Sequence, residues 1–470
     1  MILIKIDKNN PSENLYKQIY NDIKQKILNN KFHVNDKLPS KRQLAESLRV
    51  SINTVTHAYE QLLAEGYIYS VERSGYFVEE ITKFTNQLDT TIDLPPELKE
   101  SETESKDVLS LSHMTADISL FPFSKWLRLK RQALSYHEKE LTQITHPQGP
   151  YTVRKTLAKL IALTRGVTCL PEQIVISAGT QPLIEQLMTI QENQPILAVE
   201  NPGYSRVYAL LKRLNLDVHP INLDDEGIDV VQIEKSKANF AYVTPSHQFP
   251  TGIIMPISRR IELLNWAHKV EGRYIIEDDY DSEFKYETDS IPSLQSLDKQ
   301  QRVIYIGTFS KSLFPSLRVS YMVLPIHLLK KYRENFSSLM PYNNTLTLYT
   351  LHYFIESGAY NRHIKRMNKL YETKRTILIQ ELEKTFGHLI KINDIPAGLH
   401  FTAVFKTDKN YDTIEQRAVE YQLEIYTLRR FLLTKIDENN GSIKLIIGFA
   451  NITQEDIPEA VNRLYKILYD

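Results

Sequence analysis

The stretch Thr308-Phe309-Ser310-Lys311-Ser312-Leu313-Phe314-Pro315-Ser316-Leu317-Arg318 follows the apolar run Val303-Ile304-Tyr305-Ile306 and Gly307. A lysine set among small hydroxyl residues just past a strand, with an arginine two turns on, suits a pyridoxal phosphate site. The amine of Lys311 condenses with the cofactor aldehyde, and Thr308, Ser310 and Arg318 offer hydrogen bonds and charge to the phosphate. Taken alone, the same residues also describe a solvated lysine in a surface loop. The rest of the chain supplies the other parts that such a site requires.

Outward from this run, beyond Leu109, short apolar segments alternate with longer helical patterns, the signature of a mainly parallel α/β sheet with helices on both faces. Strands are predicted at Ile174-Val175-Ile176, Ile196-Leu197-Ala198-Val199, Phe240-Ala241-Tyr242-Val243, Tyr274-Ile275-Ile276 and Val303-Ile304-Tyr305-Ile306. In such sheets ligands gather beyond the carboxyl ends of the strands. After Ile176, the backbone amides of Gly179, Thr180 and Gln181 open a helix and suit a phosphate. After Val199, Tyr204 offers a ring to stack on the cofactor and Arg206 a cation for a carboxylate, although both also fit an ordinary surface. After Val243, the run Thr244 to Gly252 adds His247 to the candidate cofactor contacts. After Ile276 comes Glu277-Asp278-Asp279-Tyr280-Asp281. A carboxylate at the end of a buried strand requires a partner, and a protonated pyridine nitrogen is one. Strand alternation lets only one of Asp278 and Asp279 face the site, and Tyr280 shares the face of Asp278. Asp278 is therefore assigned to the ring nitrogen and Tyr280 to the phenolic oxygen. No cluster at metal-ligand spacing supports a metal site.

The chain has 470 residues with 57 Lys+Arg against 57 Asp+Glu, so DNA binding would require a local basic patch rather than a global field. Its single cysteine, Cys169, excludes an internal disulfide and fits a reducing compartment. The opening Met-Ile-Leu-Ile-Lys-Ile-Asp is too short an apolar run for a signal peptide, and no stretch approaches a membrane span, so a cytoplasmic location is expected.

The first eighty residues read differently. Leu15, Ile19, Ile23 and Ile27 form one helical stripe, with Pro11-Ser12-Glu13 as its start signal. Ser40 caps a second helix that buries Leu44, Ala45 and Leu48, and Ser51 caps a third from Ile52 to Glu65 that buries Val55, Tyr59, Leu62 and Leu63. The third helix exposes Asn53, Thr54, Thr56 and His57 in its first turns. Tyr67-Ile68-Tyr69-Ser70 and Ser74 to Val78 read as a hairpin turning at Glu72-Arg73-Ser74-Gly75. Two short helices and a hairpin fit a winged helix-turn-helix, or else a small helical packing module. From Ile81 to Asp107 the text turns polar, acidic and proline-marked, as a linker does. The expected domains are 1–80, a linker 81–108, and 109–470.

Leu38-Pro39-Ser40-Lys41-Arg42-x-Leu44-Ala45, Val50-Ser51, Asn53-Thr54-Val55, Leu62-x-x-Glu65-Gly66-Tyr67 and Gly75-Tyr76-Phe77-Val78 resemble the GntR-type winged helix. That resemblance implies DNA contacts from Arg42, Ser51, Asn53, Thr54 and Arg73, and Ser40 and Thr56 are further candidates. It also exposes a departure, since many relatives carry arginine where Ile52 stands. The segments from about Leu111 onward resemble a fold-type I aminotransferase with a smaller C-terminal α+β subdomain. The order of winged helix, linker and aminotransferase-like domain resembles the MocR family of regulators, and several phrases resemble its 4-aminobutyrate-sensing branch. The implied roles are Lys311 as the cofactor-bearing lysine, Asp278 on the pyridine nitrogen, Arg318 and the Gly179 loop on the phosphate, and Tyr204 over the ring. Aminotransferases usually carry a carboxylate-binding arginine before Gly-Phe on a C-terminal strand, where Lys444-Leu445-Ile446-Ile447-Gly448-Phe449 has isoleucine. Arg430 and Arg206 are the implied replacements. The family further implies a head-to-tail homodimer on a double-stranded operator with two half-sites, and a small amino compound as effector. An active aminotransferase, or a pyridoxal phosphate sensor controlling vitamin B6 synthesis, uses the same parts.

Overall fold

The protein is described by a computed structural model covering residues 4, 6–7, 14–80, 94–99, 108–114, 116–286, 291–393, 395–434 and 441–470. The chain divides into two compact units, Met1–Thr103 and Glu104–Asp470.

In the first unit α1 (Leu15–Leu28) buries Ile19, Ile23 and Ile27, the expected stripe. The start signal at Pro11-Ser12-Glu13, and most of the expected linker, lie outside the described residues. At Ser40 the capping is reciprocal: its hydroxyl accepts from the Gln43 amide at 3.3 Å, and the Gln43 side chain accepts from the Ser40 amide at 3.0 Å. The helix this starts, α2 (Lys41–Leu48), ends at Arg49 in a left-handed conformation. Ser51 then caps α3 (Ile52–Ala64), accepting from the Thr54 amide at 3.1 Å. Val55, Ala58, Tyr59 and Leu62 form its buried stripe, and Leu63, one position past that stripe, is only partly covered. The hairpin pairs β1 (Ile68–Val71) with β2 (Gly75–Val78), and Arg73 takes a left-handed φ of 59° at its tip. One core joins these elements, with Tyr59 and Leu62 at its centre.

The second unit opens with the short β3 (Leu109–Ser110). Its main sheet follows as β4 (Ile174–Ser177), β5 (Ile196–Asn201), β6 (Asp217–Asp224), β7 (Gly227–Ile228), β8 (Phe240–Val243), β9 (Tyr274–Asp279), β10 (Val303–Thr308) and β11 (Ser320–Val323). Across the sheet the order is β4-β11-β10-β9-β8-β5-β6-β7. All of these run parallel except β11 and the edge strand β7. The five predicted strands are present, and three more join them. In β6 polar residues interrupt the apolar ones, which hides a half-buried strand, while β7 is only two residues long. The strand β11 returns between β10 and β4 immediately after the Lys311 loop. Successive residues of β10 face opposite sides: Ile304 and Ile306 enter one core, and Tyr305 enters the other.

Towards the C-terminus, β12 (Ile390–Asn393), β13 (His400–Lys406), β14 (Leu423–Glu424), β15 (Tyr426–Thr427) and β16 (Ser442–Gly448) complete the strands. Four of them form the sheet β12-β13-β16-β15, packed on its own core. The remaining strand, β14, pairs in parallel with β3, which ties the start of the unit to its C-terminal part.

A buried ion pair locks the helix Tyr151–Arg165 to the main sheet. Arg165 Nε lies 2.6 Å from Asp279 Oδ2, which also accepts from the Tyr305 hydroxyl at 2.5 Å. Replacing Asp279 by Ala would remove the carboxylate with which the buried guanidinium pairs. We expect a loss of about 3–5 kcal/mol in urea unfolding of the full chain. Leu163→Ala, at a position 87% exposed, serves as the control and should change stability by less than about 0.5 kcal/mol.

Candidate functional site

The carboxyl ends of β4, β5, β8, β9 and β10 converge on a cavity of about 200 Å³. Its lining includes Gly179, Thr180, Gln181, Tyr204, Arg206, Asp278, Tyr280, Thr308, Ser310, Lys311 and Arg318. With Thr244 from the end of β8, residues from five separated strand ends are thus brought together, as the strand-end rule requires.

At one end of the cavity the helix Thr180–Thr189 begins at Gly179, with φ 123° and no side-chain cap. A Cβ on Gly179 would stand 2.4 Å from Arg318 Nη2, so only glycine lets the guanidinium close over this turn. Arg318, itself at a left-handed φ of 52°, donates to the Ala178 carbonyl at 2.9 Å. The Thr308 hydroxyl lies 3.1 Å from Ser310 Oγ and accepts from Ser320 Oγ at 2.8 Å, which fixes the hydroxyls in place. Free amides, two hydroxyls and a guanidinium form a cradle for a dianionic phosphate.

Across the cavity stands Asp278. Its Oδ2 accepts from the Tyr242 hydroxyl, and its buried Oδ1 has no partner. Burial raises its pKa to about 7. An orphaned carboxylate oxygen of this kind matches the protonated nitrogen of a pyridine ring. Asp279, next in sequence, points to the opposite face and pairs with Arg165, as strand alternation requires. Lys311 Nζ donates to the His113 carbonyl at 2.6 Å, and burial lowers its pKa to about 8, with Arg206 adding to the effect.

Two expected residues lie elsewhere. His247 is absent from the cavity wall and sits behind Tyr280, its Nδ1 within 2.9 Å of both the Tyr280 hydroxyl and Asp281 Oδ2. Phe249, two residues further on, lies on the wall instead. Arg430 also lies off the wall: it is exposed, 3.3 Å from Glu415 Oε1 and stacked over Tyr426. The 3-10 turn Leu428–Phe431 buries Leu428 and Phe431, which turns Arg429 and Arg430 outward. In β16 the side chain of Ile446 is fully buried in a cluster with Phe249, Leu428 and Phe431.

The sequence reading missed Tyr242, His113 and His400. Tyr242 sits inside a predicted strand, and its link to Asp278 depends on the pairing of β8 with β9. Both ring nitrogens of His113 are buried without partners, and burial lowers its pKa to about 3. Among the described residues, His247, Asp281 and His400 come nearest to a metal-ligand group. Two of their nitrogens are already engaged, His247 by Asp281 and His400 by the Pro250 carbonyl at 3.1 Å.

In the first unit Arg42, Ser51 and Asn53 are exposed, Thr54 and Thr56 are half-buried, and Arg73 stands at the hairpin tip. Ser40 and Ser51 spend their hydroxyls on capping.

Residues 15–78 match the gntR family of bacterial regulatory proteins, and residues 109–464 match aminotransferase class I and II. Together they define a DNA-binding regulator joined to an aminotransferase-type domain. The chain is similar to the uncharacterized HTH-type transcriptional regulator YdeL of Bacillus subtilis, at 38% identity over 96% of each chain. It is also similar to the probable rhizopine catabolism regulatory protein MocR of Rhizobium meliloti, at 29% identity over 96% of this chain and 93% of that one. A kynurenine aminotransferase of Pyrococcus horikoshii shares the fold, with a TM-score of 0.69 and 23% identity over 77% of this chain and 91% of that one. The chain belongs to the MocR family of transcriptional regulators. The cofactor of its aminotransferase-type domain is pyridoxal 5′-phosphate, and the cradle, the orphaned Asp278 oxygen and Lys311 fit that group.

Gly179→Ala should push Arg318 off the turn. We expect pyridoxal phosphate affinity, followed by absorbance titration, to fall by at least about tenfold, and the cofactor-free protein to lose about 1–3 kcal/mol of stability because alanine is strained at a φ of 123°.

Proposed function

We propose that the large domain is a sensor for a small amino compound with a distal acid, 4-aminobutyrate being the leading candidate, and that the sensor controls DNA occupancy by the winged helix. The buried Ile446 carries this proposal. In the strand where an aminotransferase usually holds its substrate's α-carboxylate with arginine, this chain places a fully buried isoleucine among aromatic rings. Ile446 offers no cation to an α-carboxylate, whereas Arg206, exposed on the cavity wall, offers one to an acid on a longer chain. Cofactor contacts are proposed for Asp278, Tyr280, Tyr204, Gly179, Thr180, Gln181, Thr308, Ser310, Lys311 and Arg318.

When bound, pyridoxal phosphate would supply an aldehyde able to condense, with loss of water, with the Lys311 amine or with a competing effector amine. The protein's own part is to bind, orient and set proton position. Asp278 holds the ring end, the Gly179 turn holds the phosphate end, and a buried Lys311 presents more neutral amine near neutrality than an exposed lysine. The protein acts as a head-to-tail homodimer reading two half-sites, with the segment 81–108 as the tether between the domains of each chain.

Titration of the cofactor-loaded protein with 4-aminobutyrate tests this function. A change in cofactor absorbance without accumulation of a carbonyl product supports sensing. Sustained product formation would instead make the protein an aminotransferase. Silence toward every amine would favour control by cofactor occupancy, the alternative raised by similarity to the pyridoxine biosynthesis regulator PdxR of Corynebacterium glutamicum, at 29% identity over 84% of each chain. Lys311→Ala should abolish the covalent adduct recovered after borohydride reduction while leaving DNA affinity measurable, and Arg42→Ala should do the opposite.

The Lys311 amine loses its proton as pH rises through about 8 rather than through the usual lysine range. The rate of cofactor loading onto the cofactor-free protein should therefore climb with pH across that window. A profile still rising steeply above pH 10 would contradict the assigned effect of burial.

A further inference from the structure

The reading helix α3 has the sequence Ile-Asn-Thr-Val-Thr-His-Ala-Tyr-Glu-Gln-Leu-Leu-Ala and contains no lysine or arginine. In the major groove guanine is read chiefly by the paired donors of arginine or lysine. This helix has neither, so its base contacts must come from other chemistry.

The side chains free to supply it at the start of α3 are few, since Thr56 and His57 lie further along the helix. The Ser51 hydroxyl accepts from the Thr54 amide and lies 2.8 Å from Thr54 Oγ1, so both hydroxyls are occupied with each other at the helix start. His57 Nδ1 lies 3.6 Å from Glu60 Oε2, one turn further along the same helix. Asn53 and Ile52 remain at the N-terminal turn, the part of a second helix that meets base edges in this type of domain. Ile52 is 48% exposed and stands outside the buried stripe of Val55, Ala58, Tyr59 and Leu62. Folding makes no use of its outer surface.

We propose that Ile52 reads the C5-methyl group of a thymine in the major groove, with Asn53 beside it reading adenine, so that each operator half-site carries an A·T pair under the start of α3. The chemistry is that of apolar side chains on the thymine methyl and of asparagine on the N6 and N7 edge of adenine. Charge for the phosphates comes from outside the helix, from Arg42 on α2 and Arg73 on the hairpin tip, both exposed. The proposal rests on the DNA-binding role of the winged helix and adds the class of base it selects.

Uracil differs from thymine only by that methyl, which makes a direct test possible. The cofactor-loaded full chain is used to select binding duplexes from randomised DNA. Each thymine of the selected sequence is then replaced by uracil in turn, and affinity is measured at fixed salt. One position per half-site should lose about fourfold in affinity, the value of one buried methyl. Ile52→Ala should lose a similar factor on the thymine duplex and nothing more on the uracil duplex, with its helix content unchanged by circular dichroism. Repeating the selection with Ile52→Arg should bring guanine to that position. A selected duplex whose affinity is indifferent to uracil at every position would overturn the assignment of Ile52 while leaving DNA binding intact. Failure to select any sequence would overturn both together.

Discussion

Two neighbouring carboxylates at the end of β9 set the terms for the whole large domain. Both are almost completely buried, and a buried charge is tolerated only when something answers it. Asp279 is answered inside the protein by Arg165 and Tyr305, which binds the helix Tyr151–Arg165 to the sheet. Asp278 is answered on one oxygen only, by Tyr242. A strand's alternation forces this split, because two adjacent residues cannot share a face. The pair therefore divides its labour: one acid holds the scaffold together, and the other leaves an open electrostatic position that a cationic ring can fill.

The same economy governs the rest of the cavity. The polar groups reach it from the ends of several strands, and the short ones are placed by backbone geometry. Gly179 lets Arg318 approach because it lacks a Cβ, and Thr308 fixes Ser310 and Ser320 through one shared hydroxyl. In the winged helix, capping by Ser40 and Ser51 plays the corresponding role, since it sets where α2 and α3 begin. The two modules are built by different rules of periodicity, yet both spend their short polar side chains on positioning the chain.

Much of this was legible in the sequence for a physical reason: the decisive groups are adjacent in the chain. The Lys311 run, the Asp278-Asp279 pair and the two serine caps are local patterns whose consequences local geometry enforces. The failures have the opposite cause. His247 follows a strand end as the cavity residues do, but its Nδ1 meets Asp281 and the Tyr280 hydroxyl, and Phe249 takes the wall position. Arg430 lost its place because the burial of Phe431 and Leu428 decides which way that turn faces. Tyr242 depended on strand pairing, and His113 on a contact between residues far apart in the chain. The strand β11 was hidden because it runs against its neighbours and follows the loop that drew attention to Lys311.

The parallel ladder between β3 and β14 gives the entrance of the large domain a mechanical role. Leu109 and Ser110 are strapped to Leu423 and Glu424, and the Leu111 carbonyl accepts from the Gly448 amide at 2.9 Å. Two residues later the His113 carbonyl receives the amine of Lys311. The segment by which the chain enters this domain is therefore also the segment whose carbonyl holds the Lys311 amine, four residues beyond Leu109.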